Sequence, residues 1–242
     1  MVRVGSGGGS VALVNPGEAT LGSGSELLIT APTGGSVNKF AIYDFADAQS
    51  QFSVSFDVFF SGGSSGTFYF FAGNGANFSD ASTFSGSQTF TGLRFSFGTS
   101  GSITTNNRAA ASWNTTNISG TPFSQGTKYS VAIYGNNSTS SITYERDGVK
   151  SVAASTYDLW VNGTRVGTAL GKAQLANGTS IDSLMFYGES STSNVAKLAI
   201  DNLIYSSTVG GITAIPEPST FAALLGLTAL AGAATRRRRV AA

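Results

Sequence analysis

Between residues 51 and 60 the chain alternates without interruption on one side: Phe52, Val54, Phe56, Val58 and Phe60 fall on one face of an extended backbone, Ser53, Ser55 and Asp57 on the other. A side-chain period of two belongs to the β-strand, so this stretch is predicted to be a half-buried strand with its Phe/Val face in a core. Phe59 is the one break in the polar face. Shorter runs of the same kind at 26–30, 40–45, 67–72, 93–97, 129–134, 141–146, 157–161, 183–187 and 197–205 supply enough strands for two packed sheets. Asn162-Gly163 lies between two of these segments, and both central residues of a type I′ turn need the positive φ that Asn and Gly tolerate. Asp147-Gly148 is a second signal of this kind. No window before Ser219 carries a capped 3.6-residue apolar stripe. The predicted fold class is therefore all-β, an antiparallel two-sheet jelly-roll sandwich with a C-terminal hydrophobic helix.

Composition narrows the function classes. Only 11% of the 242 residues are charged, against roughly 25% in ordinary globular chains. Gly, Ser, Thr and Asn carry the solubility instead, and 17 Phe and 8 Tyr spread along the chain suit short strands joined by turns. Four of the 14 basic residues are Arg236, Arg237, Arg238 and Arg239, which leaves ten bases against 13 acids elsewhere. Those ten are scattered singly along the sequence, without the basic stripe that nucleic acids require, so no nucleic-acid partner is expected. The chain has no cysteine and no histidine. Disulfides, thiolate nucleophiles, Ser-His-Asp triads and the usual zinc sites are thereby excluded as intrinsic chemistry.

The last part of the chain has a different character. Gly210-Gly211 begins a linker that reaches Pro216-Glu217-Pro218, where proline forbids continued regular structure. Ser219 or Thr220 is suited to cap a helix over the apolar run 221–234, which is followed at once by the four arginines. Fourteen residues give only ~21 Å of helix against a hydrocarbon core of about 30 Å, a gap that snorkelling arginines partly close. A buried core helix is the alternative, but the run offers water no polar face. Membrane insertion through 219–239 is expected, with the arginines as a stop-transfer anchor that stays cytoplasmic. The domain division expected is 1–10 as a flexible segment, 11–208 as the sandwich, 209–218 as the linker and 219–242 as the membrane-anchoring tail.

This ending resembles the PEP-CTERM sorting signal, matched at Pro216, Glu217 and Pro218, at the apolar run and at the arginine cluster. The resemblance implies processing by an exosortase, a membrane transpeptidase-like enzyme of exopolysaccharide-producing Gram-negative bacteria, and a destination at the cell surface or in extracellular matrix or biofilm. The proline-rich motif would be substrate for that enzyme, since prolines hold the backbone extended for a processing cleft. An exported chain should open with a basic and then an apolar leader. Met1-Val2-Arg3-Val4 runs straight into a Gly/Ser stretch, so the expectation is of a start assigned downstream of the true one or of a gene fragment, unless export itself is wrong. Tyr157-Asp158-Leu159-Trp160-Val161-Asn162-Gly163 and the segment 198–205 resemble the hairpin and closing strand of concanavalin-like and laminin-G-like jelly rolls. Such folds often bind glycans.

Few residues of the body suggest a site. If Tyr157, Leu159 and Val161 face inward, Trp160 and Asp158 face outward, and an exposed indole beside a carboxylate would serve as a sugar platform. Burial of Trp160 under a loop or at another contact is the preferred alternative, since large aromatics are usually mostly buried. Trp113 is equally ambiguous. Asp201 stands where the resembling jelly rolls place a structural calcium ligand, but calcium needs six to eight oxygens and the sequence nominates no others, so solvation on a strand face is preferred. The loop acids Asp44, Asp47, Glu145 and Asp147 are poorly arranged for the paired-carboxylate chemistry of glycosidases. Asn-x-Ser/Thr sequons, among them Asn77, Asn136 and Asn137, read as surface loops. The expected function is that of an exported cell-surface or matrix protein with a structural or adhesive role and no enzymatic activity. A carbohydrate-binding module that holds exopolysaccharide is the alternative, and a polysaccharide-active enzyme the third choice. No cofactor is expected beyond a structural calcium.

Overall fold

The computed structural model describes residues 1–15, 21, 22, 24–80 and 85–210. In chain order the elements are β1 (Val2–Arg3), β2 (Ser10–Val14), β3 (Glu26–Thr30), β4 (Val37–Ile42), β5 (Gln51–Ser61), β6 (Thr67–Gly73) and the short helix α1 (Ala76–Ser79). There follow β7 (Thr89–Phe97), β8 (Ile103–Ala109), β9 (Ser112–Asn114), β10 (Lys128–Asn136), β11 (Ile142–Glu145) and β12 (Val149–Val152). The last four are β13 (Thr156–Val161), β14 (Thr164–Gly171), β15 (Ser183–Glu189) and β16 (Lys197–Ser206). Sheet A has the strand order β1-β4-β15-β6-β7-β8-β9, sheet B the order β14-β13-β10-β5-β16-β3-β2, and β11-β12 form a separate hairpin. The pairings recorded within these sheets are antiparallel. The chain steps from B to A to B to A through β3, β4, β5 and β6, and again through β14, β15 and β16, which is the winding of a jelly roll.

The alternating face of β5 makes the centre of the sandwich. Phe56 of sheet B meets Phe70 and Phe186 of sheet A with ring centroids 5.1 Å away in each case. Phe60 lies 5.1 Å from Phe95 and 5.8 Å from Phe123. Edge-to-face and tilted rings at these distances fill the gap between sheets with the attractive geometry of the aromatic quadrupole, and each fully buried Phe contributes roughly 1.5–3 kcal/mol of transfer free energy. The two turn signals form hairpins as expected. Asn162 and Gly163 have φ of 48° and 77° between β13 and β14, and Asp147 and Gly148 have 51° and 79° between β11 and β12.

The polar face of β5 departs from expectation. Ser53 and Ser55 are buried, because the β11-β12 hairpin and the chain after β16 lie over the outer face of sheet B. The Ser53 hydroxyl donates to the Thr208 carbonyl (2.7 Å). Small residues suit a strand covered on both faces, which periodicity alone does not reveal. The same cover corrects the sugar-platform reading of Trp160 and Asp158. They do face away from Tyr157, Leu159 and Val161, but Trp160 is 2% and Asp158 0% exposed. Tyr144 of the hairpin stacks on Tyr134 at 4.0 Å. Its hydroxyl donates to Asp158 Oδ2 (2.7 Å) and accepts from Trp160 Nε1 (2.8 Å). Asp158 also accepts from Arg165 Nη1 (3.3 Å) and the Ala169 N–H (2.8 Å), so its buried charge is compensated.

Asparagine side chains hold several loops, alongside buried apolar loop residues such as Phe123 and Ile181. Asn136 Nδ2 donates to the carbonyls of Ser140, Val152 and Ala153, and Asn137 Nδ2 to those of Ala176 and Thr179. Asn77, Asn136 and Asn137 are buried, so these three sequons are not surface loops. Residues 1–10, expected to be flexible, are tied down: β1 pairs with β4, the Gly5 N–H donates to Asn38 Oδ1 (2.8 Å), and the Thr33 N–H donates to the Gly7 carbonyl (3.0 Å). Glycines allow this because the backbone runs close to its neighbours; a Cβ on Gly7 would come within 2.3 Å of the Thr33 carbonyl oxygen. The chain divides into a unit Met1–Ile212 and a unit Thr213–Ala242. The second lies outside the described residues, and with it the expected hydrophobic helix, Pro216, Glu217, Pro218 and the four arginines. No helix among the described residues is long and apolar enough to cross a membrane.

Burial, and then the hydrogen bond to Asp158, hold the Tyr144 hydroxyl protonated well above the ordinary tyrosine range. A tyrosine that keeps its proton in the fold but ionises near pH 10 when unfolded stabilises fully below that pH and progressively less above it. Replacing Tyr144 with Phe is expected to cost about 1–3 kcal/mol at neutral pH, because Asp158 and Trp160 lose a buried partner. Urea unfolding from pH 7 to above pH 10 should show that cost and a flatter alkaline decline than in the parent. An unchanged decline would contradict the latch.

Candidate functional site

Among the described residues, the outer face of sheet A is covered only in part. Helix α1 packs Phe78 against Ala41, Phe71 and Met185. Lys39 Nζ donates to the carbonyls of Asn77 (3.0 Å) and Asp80 (2.5 Å), tying the α1 segment to β4. Burial, and then the neighbouring Arg3, lower the Lys39 ammonium from its ordinary value, while Asp80 acts in the opposite direction. Beside α1 the sheet stays open as a cleft of about 190 Å³, lined by Tyr69, Phe71, Arg108, Trp113, Tyr187 and Glu189.

Register builds the cleft. Tyr187 on β15 faces Tyr69 on β6, Tyr69 faces Arg94 on β7, and Arg94 faces Asn106 on β8. Two residues along β6, Phe71 shares the face of Tyr69 and stacks beside it at 5.6 Å. Gly92, paired with Phe71, lets its neighbours close in over the backbone: a Cβ there would stand 2.9 Å from Arg108 Cβ and 3.3 Å from Phe71 Cε1. Trp113 on β9 pairs with Arg108 on β8 and leans back across the sheet until its ring lies 5.5 Å from Tyr69 and 6.3 Å from Phe71. The guanidinium carbons of Arg94 and Arg108 stand 5.0 and 5.5 Å from the Trp113 ring, within cation–π range.

Polar groups hold these rings in place. The Tyr69 hydroxyl donates to Glu189 Oε1 (2.8 Å) and the Tyr187 hydroxyl to Glu189 Oε2 (3.1 Å), so one carboxylate orients two rings. Burial first, and Glu189 second, raise both tyrosines well above their ordinary values, with Arg94 pulling the other way at Tyr69 and Arg3 at Tyr187. Asn106 Oδ1 accepts from Arg94 Nε (3.0 Å) and Nη2 (2.8 Å) and fixes that guanidinium. The arrangement therefore presents half-buried aromatic faces with hydrogen-bonding groups around them. A sugar ring matches both parts, since its C–H face carries positive polarisation toward an aromatic π-cloud and its hydroxyls bond the rim.

Of the residues expected to form sites, only Trp113, left ambiguous by the sequence, lies in this cleft. Trp160 and Asp158 belong to the opposite sheet's covered face, and the sorting residues fall outside the described residues. Asp201 on β16 pairs with Asp57 on β5. Asp57 is bridged by Lys128 Nζ (3.1 Å) and accepts from Asn202 Nδ2 (2.9 Å), and Asp201 Oδ1 accepts from the Asn202 N–H (2.8 Å). Among the described residues these two carboxylates are engaged in this way, one of them by an ammonium, whereas calcium takes six to eight oxygens. Among the described residues no group of three or more His, Cys, Asp or Glu is placed to hold a metal ion.

Comparison with curated proteins gives no match. Solved structures similar to this chain include the cellulose-induced protein Cip1, with 14% identity, TM-score 0.48, and 83% of this chain and 87% of that one covered. A protein of unknown function with a galectin-like fold from Bacillus subtilis gives 10% identity and TM-score 0.47, covering 81% and 88%. A marine alginate lyase from Aplysia kurodai gives 13% and 0.47, covering 85% and 90%. All three are too distant to carry function over. Residues 214–239 match the family described as the PEP-CTERM protein-sorting motif, which contains the Pro-Glu-Pro sequence and the arginine cluster. This chain thus joins a β-sandwich body to a PEP-CTERM sorting motif, the mark of an exported surface protein processed by exosortase, a membrane enzyme.

Proposed function

We propose that the protein is an adhesive component of a bacterial cell surface or matrix that holds polysaccharide in the Trp113 cleft of sheet A. The observation that carries this reading is the placement of Trp113, half-buried and held over Tyr69 with two guanidiniums beside its ring. Its chemistry favours binding over catalysis. Glycosidases need two carboxylates about the scissile bond, and Glu189 is the single carboxylate lining the cleft among the described residues. Tyr69 and Tyr187 hold their protons too firmly to act as bases at neutral pH, because burial, and then the negative charge of Glu189 beside them, disfavour the phenolate. The sorting motif accounts for delivery: Pro216, Glu217 and Pro218 present an extended segment to exosortase, which releases the body from its anchor at 219–239.

Truncation of Trp113 to Ala is expected to remove most glycan binding, whereas Trp160→Phe on the covered face should leave it intact. A glycan array with the three proteins, each checked for folding by circular dichroism, tests this. Binding retained by the Trp113 variant and lost by the Trp160 variant would overturn the assignment. Replacing Pro216, Glu217 and Pro218 together with Ala should leave the chain uncleaved in the membrane of an exosortase-positive host. Normal processing on immunoblot would refute their role.

A further inference from the structure

We infer that the ligand of the Trp113 cleft is an acidic polysaccharide, with carboxylated sugars read by Arg94 and drawn in by the positive face around it. This rests on the reading of the cleft as a carbohydrate site. Outside the arginine tail the chain has ten bases against 13 acids, so the body carries net negative charge. Yet Arg3, Lys39, Arg94 and Arg108 gather on the outer face of sheet A, where Glu189 is the acid of the cleft. Strand register explains the gathering. Arg3 pairs with Lys39, Lys39 with Tyr187, Tyr187 with Tyr69, Tyr69 with Arg94, and Arg94 with Asn106. One cross-strand row therefore runs from Arg3 to Arg94 over four strand spacings, about 19 Å at ~4.8 Å each. Lys39 is buried where it donates to the α1 carbonyls, so the part of the row open to a ligand is Tyr187, Tyr69 and Arg94, two strand spacings or about 10 Å, which suits a short run of sugar rings stacked on Tyr187 and Tyr69.

Two acids lie near the row, Asp80 beside the buried Lys39 and Glu189 in the cleft, against the four bases. Both oxygens of Glu189 accept from tyrosine hydroxyls. The ion pairs of the described residues are Lys128–Asp57, Lys150–Asp147 and Arg165–Asp158, none of which includes Arg94. Asn106 takes the Nε and Nη2 protons of Arg94 and compensates no charge, which leaves a fixed, half-exposed guanidinium whose Nη1 has no partner among the described residues. A planar guanidinium held in one orientation beside an aromatic ring matches a sugar that carries a carboxylate. Neutral glycans would gain the ring contacts only.

Calorimetric titration of the full-length chain in detergent, with an oligogalacturonate and with its methyl ester of the same length, separates the two parts. The acid form is expected to bind about tenfold more tightly than the ester at about 50 mM salt, an advantage that collapses at about 500 mM as the charges are screened. Arg94→Gln should remove the same advantage and keep ester binding, while Arg94→Lys should restore part of it. Trp113→Ala should weaken both probes. Equal binding of acid and ester by the parent, or an advantage insensitive to salt, overturns the acidic-ligand inference and leaves the carbohydrate reading standing. Failure of the parent to bind either probe or a neutral glucan overturns both. Salt dependence is read on the parent, so the test holds even where a variant folds poorly.

Discussion

Phe56 of β5, set between Phe70 and Phe186 of the opposite sheet, is the contact from which the rest of the architecture follows. With so few charged residues, the chain relies on apolar packing for stability and on amides and hydroxyls for solubility. Aromatic rings from both sheets interlock at centroid distances near 5 Å around this contact. Packing at that density fixes the register of each central strand, since a slip by one residue would turn the rings to the outside. Register in turn decides which polar residues meet on the two outer faces.

Those outer faces are finished differently, and the difference locates function. Sheet B is covered by the β11-β12 hairpin, latched through Tyr144, Asp158 and Trp160, with Ser53 and Ser55 small enough to lie beneath it. Sheet A is covered by α1 over Ala41, Phe71 and Met185 and remains open beside it. The same residue types serve both places. Tyrosine, tryptophan, arginine and a carboxylate form a sealed latch on one side, and on the other a cleft that keeps its rings half in water. What separates them is the cover, a matter of tertiary placement.

The legible parts of the fold were those written in local pattern. The alternation of β5 and the Asn162-Gly163 and Asp147-Gly148 turns each correspond to an observed strand or hairpin. β8 was not legible, because Thr104, Asn106 and Arg108 alternate with Ile103, Thr105 and Asn107, a segment too polar to read as a strand. The cleft inherits that difficulty. Arg94, Arg108 and Trp113 look scattered in sequence and converge only through the pairings of β7, β8 and β9. Strand alternation places Trp160 and Asp158 on the face they occupy, but period-two patterning does not show the hairpin that buries them. The sorting motif needed no fold at all, since its three parts are contiguous in residues 214–239.

The chain has two tryptophans, one in the open cleft and one under the latch, so their indole N–H signals report on the two faces separately. A nitrogen–proton correlation spectrum recorded during titration with an acidic oligosaccharide is therefore the most direct measurement. The account predicts that the Trp113 signal shifts progressively to saturation while the Trp160 signal stays in place. A shift of Trp160 with Trp113 unmoved would place the ligand on sheet B and contradict it.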